Sequence, residues 1–295
     1  MIRRNFIKTA ALTTAATVIP AGAGSLAESL QQKQLALNPN PLKIGIMTYT
    51  IAQDWDIETI IKNLTEAQYQ TVELRTTHAH GVEVELTPSQ RADIKKRFKD
   101  SPLEVISLAS GFEYHSPDKG TLKKNIDGTK EYIKLASDVG AAGIRVFGNA
   151  LPDGVPEQKT EQQIGKALAE VGEFGFNNGV EVRICVHGTG TNRPSVIKKI
   201  IDHSQSPHVW VNWNCNPEDT LENGFEANFN LLKDRIHGVH MHELWMSDYP
   251  YRQLFNLLSA NSYKGYCNAE IDGNPDPVRF LKYYRALFLA YQNAL

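Results

Sequence analysis

A parallel (β/α)8 barrel is the fold this sequence predicts, and three observations predict it. From Leu42 onward, apolar runs of strand length alternate eight times with amphipathic helical stretches. Several of the helical stretches open on capping signals, and few residues are left over between units. Eight such units are the number that closes a parallel sheet on itself. An open doubly wound sheet rarely sustains eight repeats with so little insertion.

In chain order the strands read Ile44–Thr48, Thr71–Arg75, Glu104–Ala109, Gly143–Phe147, Glu181–His187, His208–Asn214, Ile236–His242 and Tyr266–Ile271. The helix that follows the second strand begins at Thr87-Pro88-Ser89-Gln90, where Thr87 is placed to cap, proline occupies the first helical position and Gln90 follows three residues after the cap. In the fourth helical stretch Ile164, Leu168 and Val171 fall on one face. Asp276-Pro277 opens the last helix, whose Leu281, Tyr284, Phe288 and Tyr291 share a face.

Two segments precede the barrel domain of residues 42–295. Residues 1–24 carry Arg3-Arg4-Asn5-Phe6-Ile7-Lys8, a mildly apolar stretch from Ala10 to Ile19, and the small residues Ala21-Gly22-Ala23. This resembles a bacterial twin-arginine export signal, which implies a periplasmic or exported protein; a frayed N-terminal helix is the plainer alternative. Residues 25–41, with Gln31-Gln32 and Asn38-Pro39-Asn40-Pro41, read as a polar linker. The leader is too short and too rich in Thr and Ala for a stable membrane span, and no later stretch is apolar enough for one.

Composition narrows the partners. The chain has 295 residues and a formal charge of −2, with Lys and Arg dispersed among Asp and Glu, so a nucleic-acid partner is not expected. Its three cysteines, Cys185, Cys215 and Cys267, lie in or beside strands that fix where their side chains point, and no structural disulfide is expected.

Function in such a barrel sits at the C-terminal ends of the strands. There the sequence places polar residues two apart, hence on one face: Arg183, Cys185 and His187; Asn212 and Asn214; His240 and His242; then Glu270, with Glu73 and Arg75 on the second strand. One inward histidine is ordinarily a hydrogen-bonded structural residue. Two on one strand, with Glu270 on the next and His187 two strands back, point to metal binding or acid–base work by imidazole and carboxylate. Glu270, flanked by apolar residues, needs a cation or a proton when buried; the structural alternative is an ion pair to Arg75 or Arg183. Asn212 and Asn214 offer amide groups to a metal or to sugar hydroxyls, or serve a turn. Glu73 reads equally as a substrate or base carboxylate and as the partner of Arg75.

Taken together, Val-Glu-Leu on the second strand, Val-His-Gly on the fifth, Trp-Asn-x-Asn-Pro on the sixth, Val-His-x-His-Glu-Leu on the seventh and Ala-Glu on the eighth resemble the sugar phosphate isomerase/epimerase family, with its xylose isomerase-like barrel. The resemblance runs from about Leu42 to the C-terminus. It implies a divalent ion (Mn, Zn, Co or Mg) held at the ends of strands five to eight by Glu, Asp, His and Glu, the two glutamates also moving the proton. By position this chain offers Cys185, Asn214, His240 and Glu270; the last two match and the first two depart. A thiol and a neutral amide replace two anionic oxygens, which makes the site softer and Cys185 a poor proton carrier.

The expectation is therefore a divalent-metal-dependent isomerase or epimerase acting on a small carbohydrate, a sugar or keto-sugar, by proton abstraction next to a carbonyl. His187, Glu73 and Glu270 are the candidate catalytic groups. Arg75, Arg183, Asn212 and His242 are candidates for binding substrate, and His240, Glu270, Asn214 and Cys185 for binding metal. A keto-glycoside β-eliminating lyase on the same site and a non-catalytic carbohydrate-binding barrel are the alternatives.

Overall fold

The computed structural model describes residues 38–295. The leader and most of the linker lie outside the described residues. Eight parallel strands close into a barrel in sequence order, β1 (Lys43–Met47), β2 (Thr71–Arg75), β3 (Glu104–Glu113), β4 (Gly143–Ala150), β5 (Glu181–Thr189), β6 (Val209–Trp213), β7 (Ile236–Met241) and β8 (Tyr266–Ala269), with β8 paired back onto β1. Around them run α1 (Ile57–Glu66), α2 (Pro88–Lys99), α3 (Lys119–Val139), α4 (Glu157–Asn177), α5 (Pro194–Ser204), α6 (Phe225–Leu232), α7 (Tyr251–Ala260) and α8 (Pro277–Tyr291).

The local signals act as their chemistry requires. Thr87 and Gln90 form a reciprocal capping box ahead of α2, and the Asp276 side chain accepts from Arg279 N at the start of α8. Ile164, Leu168 and Val171 are buried between α4 and the sheet, as are Leu281, Tyr284 and Phe288 of α8. Outward strand residues such as Val239, Met241, Cys267 and Ala269 complete this layer between sheet and helices.

The main departures from the sequence reading are at strand ends. β3 and β4 continue to Glu113 and Ala150, well past the apolar runs, and each breaks register on the way. Such breaks re-aim side chains at the rim of a barrel. At the opposite end Asn38 N donates to Asn293 O at 2.7 Å and Leu42 N to Gln292 Oε1 at 2.7 Å, so the entry of the domain is fastened to its last helix. Among the described residues no helix is long and apolar enough to cross a membrane, and Cys185, Cys215 and Cys267 are buried and unpaired.

Candidate active site

The interior of this barrel is polar. Strand alternation brings Glu73, Arg145, Arg183, Cys185, Asn212, His240 and Asn268 into it, all buried. Room is made by two small neighbours: a Cβ on Gly45 would collide with Asn268 Oδ1, and one on Gly238 would collide with Asn212 Oδ1. Glycine at these two positions lets the asparagines lean across.

His240 is the hub of the interior. Its Nε2 lies 2.9 Å from Glu73 Oε2, across the barrel from β7 to β2, and its Nδ1 lies 3.2 Å from Glu270 Oε2 just beyond β8. Asn268 Nδ2 donates to the same Glu73 oxygen at 2.9 Å, while Glu73 Oε1 is buried without a partner. Burial alone would raise both carboxylates and lower the imidazole. Mutual attraction overrides it: His240 is pushed well above its ordinary value, Glu73 is held below the carboxylate range, and Glu270 is brought down to about 2, with the Arg145 guanidinium assisting both acids. The result is an imidazolium donating to two carboxylates. It also answers where the charge of Glu270 is met: by His240, with Arg75 and Arg183 engaged elsewhere.

His187 stands at the mouth, exposed, with its ring 5.1 Å from the Phe147 ring and its Nδ1 3.2 Å from Asn149 Oδ1. Partial desolvation by the barrel wall, then Arg145, lower its pKa despite the pull of Glu270, which leaves it neutral at pH 7 with a lone pair on one ring nitrogen. His242 turns Nδ1 toward Glu270 O at 3.4 Å and Nε2 toward Asn214 O at 3.2 Å. With Tyr49, Thr50, Glu270, Ile271 and Asp272 it lines a cavity of about 190 Å³ at the mouth. A larger hollow of about 810 Å³ lies between α1 and α2 on the outer surface, far from these groups.

The remaining predicted residues fall in different places. Arg75, half-buried at the end of β2, donates from Nη1 to Thr76 O at 3.0 Å and Thr76 Oγ1 at 2.7 Å. It does not pair with Glu73. Arg183 sits low in the barrel, where Nε and Nη2 reach Glu181 Oε2 at 2.9 and 2.6 Å; Glu181, two residues earlier on the same face, neutralises it away from the mouth. Asn212 Nδ2 approaches Cys185 Sγ at 3.6 Å. Asn214 Nδ2 donates to Asn216 Oδ1 at 3.0 Å, and that loop is tied down by Asp219, whose Oδ2 accepts from Asn216 N at 3.0 Å and from Tyr249 OH at 2.6 Å. Burial lifts the Asp219 acid to about 7, and its Oδ1 has no partner.

The donor chemistry bears on the ion implied by the resemblance. Of the four expected donors, Cys185 is buried against Asn212, Asn214 gives its Nδ2 to Asn216 and leaves only a neutral amide oxygen to offer, and both nitrogens of His240 face carboxylates. Among the described residues no three His, Cys, Asp or Glu side chains converge as a metal site. As arranged, these donors do not fit a four-ligand site.

Several residues of the site escape the sequence reading. Arg145 lies at the centre of the charge network, its guanidinium 4.0 Å from the Phe147 ring and its Nη1 2.9 Å from Ser110 O. Its signal was available, since Arg145 stands in an apolar strand at the same alternation as Arg183. Glu113, Asn149 and Asn268 gave less: the first two lie beyond the apolar runs, and Asn268 is a single amide two residues before Glu270.

The molecule is thus a closed (β/α)8 barrel with a neutral imidazole, His187, at its mouth and a carboxylate–imidazolium–carboxylate array, Glu73–His240–Glu270, running from that end into its interior. The chain belongs to the xylose isomerase-like TIM barrel family, whose model matches residues 61–284. Among solved structures it is similar to the apo form of 3-keto-D-glucoside 4-epimerase from E. coli, with 14% identity and a TM-score of 0.70 over 84% of this chain and 99% of that one. An L-ribulose 3-epimerase aligns with 17% identity and a TM-score of 0.71 over 85% of this chain and 94% of that one. The IolI protein, solved with a bound zinc atom, aligns with 10% identity and a TM-score of 0.64 over 86% and 98% of the two chains. At these identities the likeness shows the fold. No curated protein sequence matches the chain.

Proposed function

We propose that this protein is a sugar isomerase or epimerase that removes a proton from the carbon next to a carbonyl of a keto-sugar. The observation that carries the reading is the pairing, at one mouth, of an accessible neutral His187 with Glu270, which His240 keeps ionised. An acid titrating at about 2 is a weak base at neutral pH, so Glu270 binds and orients a substrate hydroxyl while His187 takes the proton. His240, 1% exposed, does not touch the substrate; it holds the charge of Glu270 in place. Thr50 and His242 add hydrogen-bonding groups around the cavity that Glu270 lines.

Returning the proton to the other face gives epimerisation, and returning it to the neighbouring carbon gives isomerisation. Loss of a β-substituent from the same intermediate gives the lyase outcome. The two epimerases among the similar structures support the first course. The divalent ion of the family pattern, Mn, Zn, Co or Mg, is part of the proposal only as something to be measured: stoichiometric metal in the purified protein would require donors to rearrange about Glu270 and His240. Export is likewise proposed on the Arg3-Arg4 leader alone, and cell fractionation tests it.

The deciding experiment is exchange of substrate hydrogen with deuterated water across a panel of ketoses and oxidised glycosides. Time-dependent deuterium incorporation at a carbon next to the carbonyl, lost in His187→Ala, is the expected result. Binding of the same sugars with no exchange on any of them would overturn the enzyme reading in favour of a carbohydrate-binding barrel.

A further inference from the structure

His187 can serve as a base only through a ring nitrogen that carries a lone pair, and the backbone around it decides which nitrogen that is. β4 breaks register between Phe147 and Asn149, and Asn149 adopts a left-handed φ of 73°, a conformation that asparagine tolerates better than most side chains. Opposite it on β5 stands Gly188, at φ 97°, where a Cβ would collide with the Asn149 carbonyl. Only glycine lets the two strands approach so closely. The approach delivers the Asn149 amide between Glu113 at the end of β3 and His187 on β5.

The amide is oriented by its neighbours. Its Nδ2 donates to Glu113 Oε2, a carboxylate that can only accept, so Oδ1 is the atom that faces His187 Nδ1 at 3.2 Å. An amide oxygen also only accepts. His187 Nδ1 must therefore carry the hydrogen, and in the neutral ring the lone pair then belongs to Nε2.

We propose that Asn149, ordered by Glu113, is a positioning residue that fixes His187 as its Nδ1–H tautomer and thereby makes Nε2 the atom that takes the substrate proton. The catalytic part of this assignment rests on the reading of His187 as the base; the tautomer does not. The Phe147 ring packs beside the imidazole and restrains its rotation. Where a histidine binds metal, the partner that sets its tautomer is worth roughly 10–100-fold in affinity or activity.

The test uses the full chain labelled with 15N-histidine and long-range 1H–15N correlation, which distinguishes protonated from lone-pair ring nitrogens without any substrate. Wild type should show His187 with a protonated Nδ1 and a lone-pair Nε2. Asn149→Gly removes the amide while suiting the left-handed backbone, and Glu113→Ala frees the amide to turn over; both should lose the tautomer preference. Glu113→Gln, whose side-chain oxygen still accepts from Asn149 Nδ2, should retain it. In the deuterium-exchange assay Asn149→Gly should lower turnover roughly 10–100-fold with little change in KM. A wild-type His187 protonated on Nε2, or an unchanged tautomer in both Asn149→Gly and Glu113→Ala, would overturn the assignment. A shifted tautomer with undiminished turnover would overturn its catalytic role. Failure of every sugar to exchange in wild type would count against the proposed reaction and leave the spectrum to decide the tautomer.

Discussion

Replacing Asp219 by asparagine should stabilise the protein in a way that grows with pH. Asp219 is fully buried in the loop after β6, with Oδ2 accepting from Asn216 N and Tyr249 OH and Oδ1 bare. Burial raises its acid from 3.8 to about 7, outweighing the donated hydrogen bonds. For an acid raised in the fold, the stabilising contribution is complete below the unfolded value and is lost as pH climbs through the folded one. At about 1.4 kcal/mol for each tenfold change, the whole loss is about 4 kcal/mol, of which roughly 3 kcal/mol falls between pH 5 and pH 8. The replacing amide would keep the acceptor for Tyr249 and Asn216 N, place its NH2 where Oδ1 already lacks a partner, and carry no charge at any pH. Urea unfolding of wild type and Asp219→Asn at pH 5 and pH 8 measures the difference, and comparing the pair at each pH cancels the titration of every other group. The variant's advantage should widen by roughly 3 kcal/mol and level off above about pH 8. An equal difference at both pH values, or one that shrinks toward pH 8, would refute the claim that Asp219 is uncharged in the fold at pH 5.

Three further outcomes follow from the same interior. His187→Ala should slow deuterium exchange roughly 10²–10⁴-fold and His187→Gln almost as much, and near-normal exchange in both would move the base elsewhere. Glu73→Ala strands half of a buried ion pair and should cost about 3–5 kcal/mol in denaturant unfolding; Glu73→Gln, whose oxygen still accepts from His240, should cost clearly less. Gly45→Ala drives a methyl group into Asn268 and Thr71 and should cost about 1–3 kcal/mol, with Gly45→Ala/Asn268→Ala losing less than the two single changes added, as a double-mutant cycle would register.

The barrel was legible because a parallel strand covered on both faces must be apolar nearly throughout, so eight such runs stand out between amphipathic helices. The same logic fails where a strand outlives its apolar run. Ser110–Glu113 and Gly148–Ala150 keep to the ladder after a register break and look like loop in composition, which hid Glu113 and Asn149. Alternation at the strand ends also brought out His187, His242 and Glu270 near the mouth, with His240 buried beneath them. What no local pattern carries is the choice of partner across the barrel. Glu73 and His240 are separated by 167 positions, and nothing near either one says that they meet, or that Arg75 and Arg183 will be occupied by Thr76 and Glu181 instead.

The clasp between Asn38 and Asn293 makes the choice of a first unit a convention of the chain, since β8 already neighbours β1 as closely as any consecutive pair. A short bridge from Leu295 to Asn38 would turn the domain into a ring with no first strand, and it could be reopened elsewhere. The exposed turn at Asp153-Gly154, where a Cβ added to Gly154 would meet nothing within 4 Å, is a natural new origin. A chain begun there would have Asn149 and His187 in its last and first units respectively, so that the wall holding the base would be sewn from opposite termini.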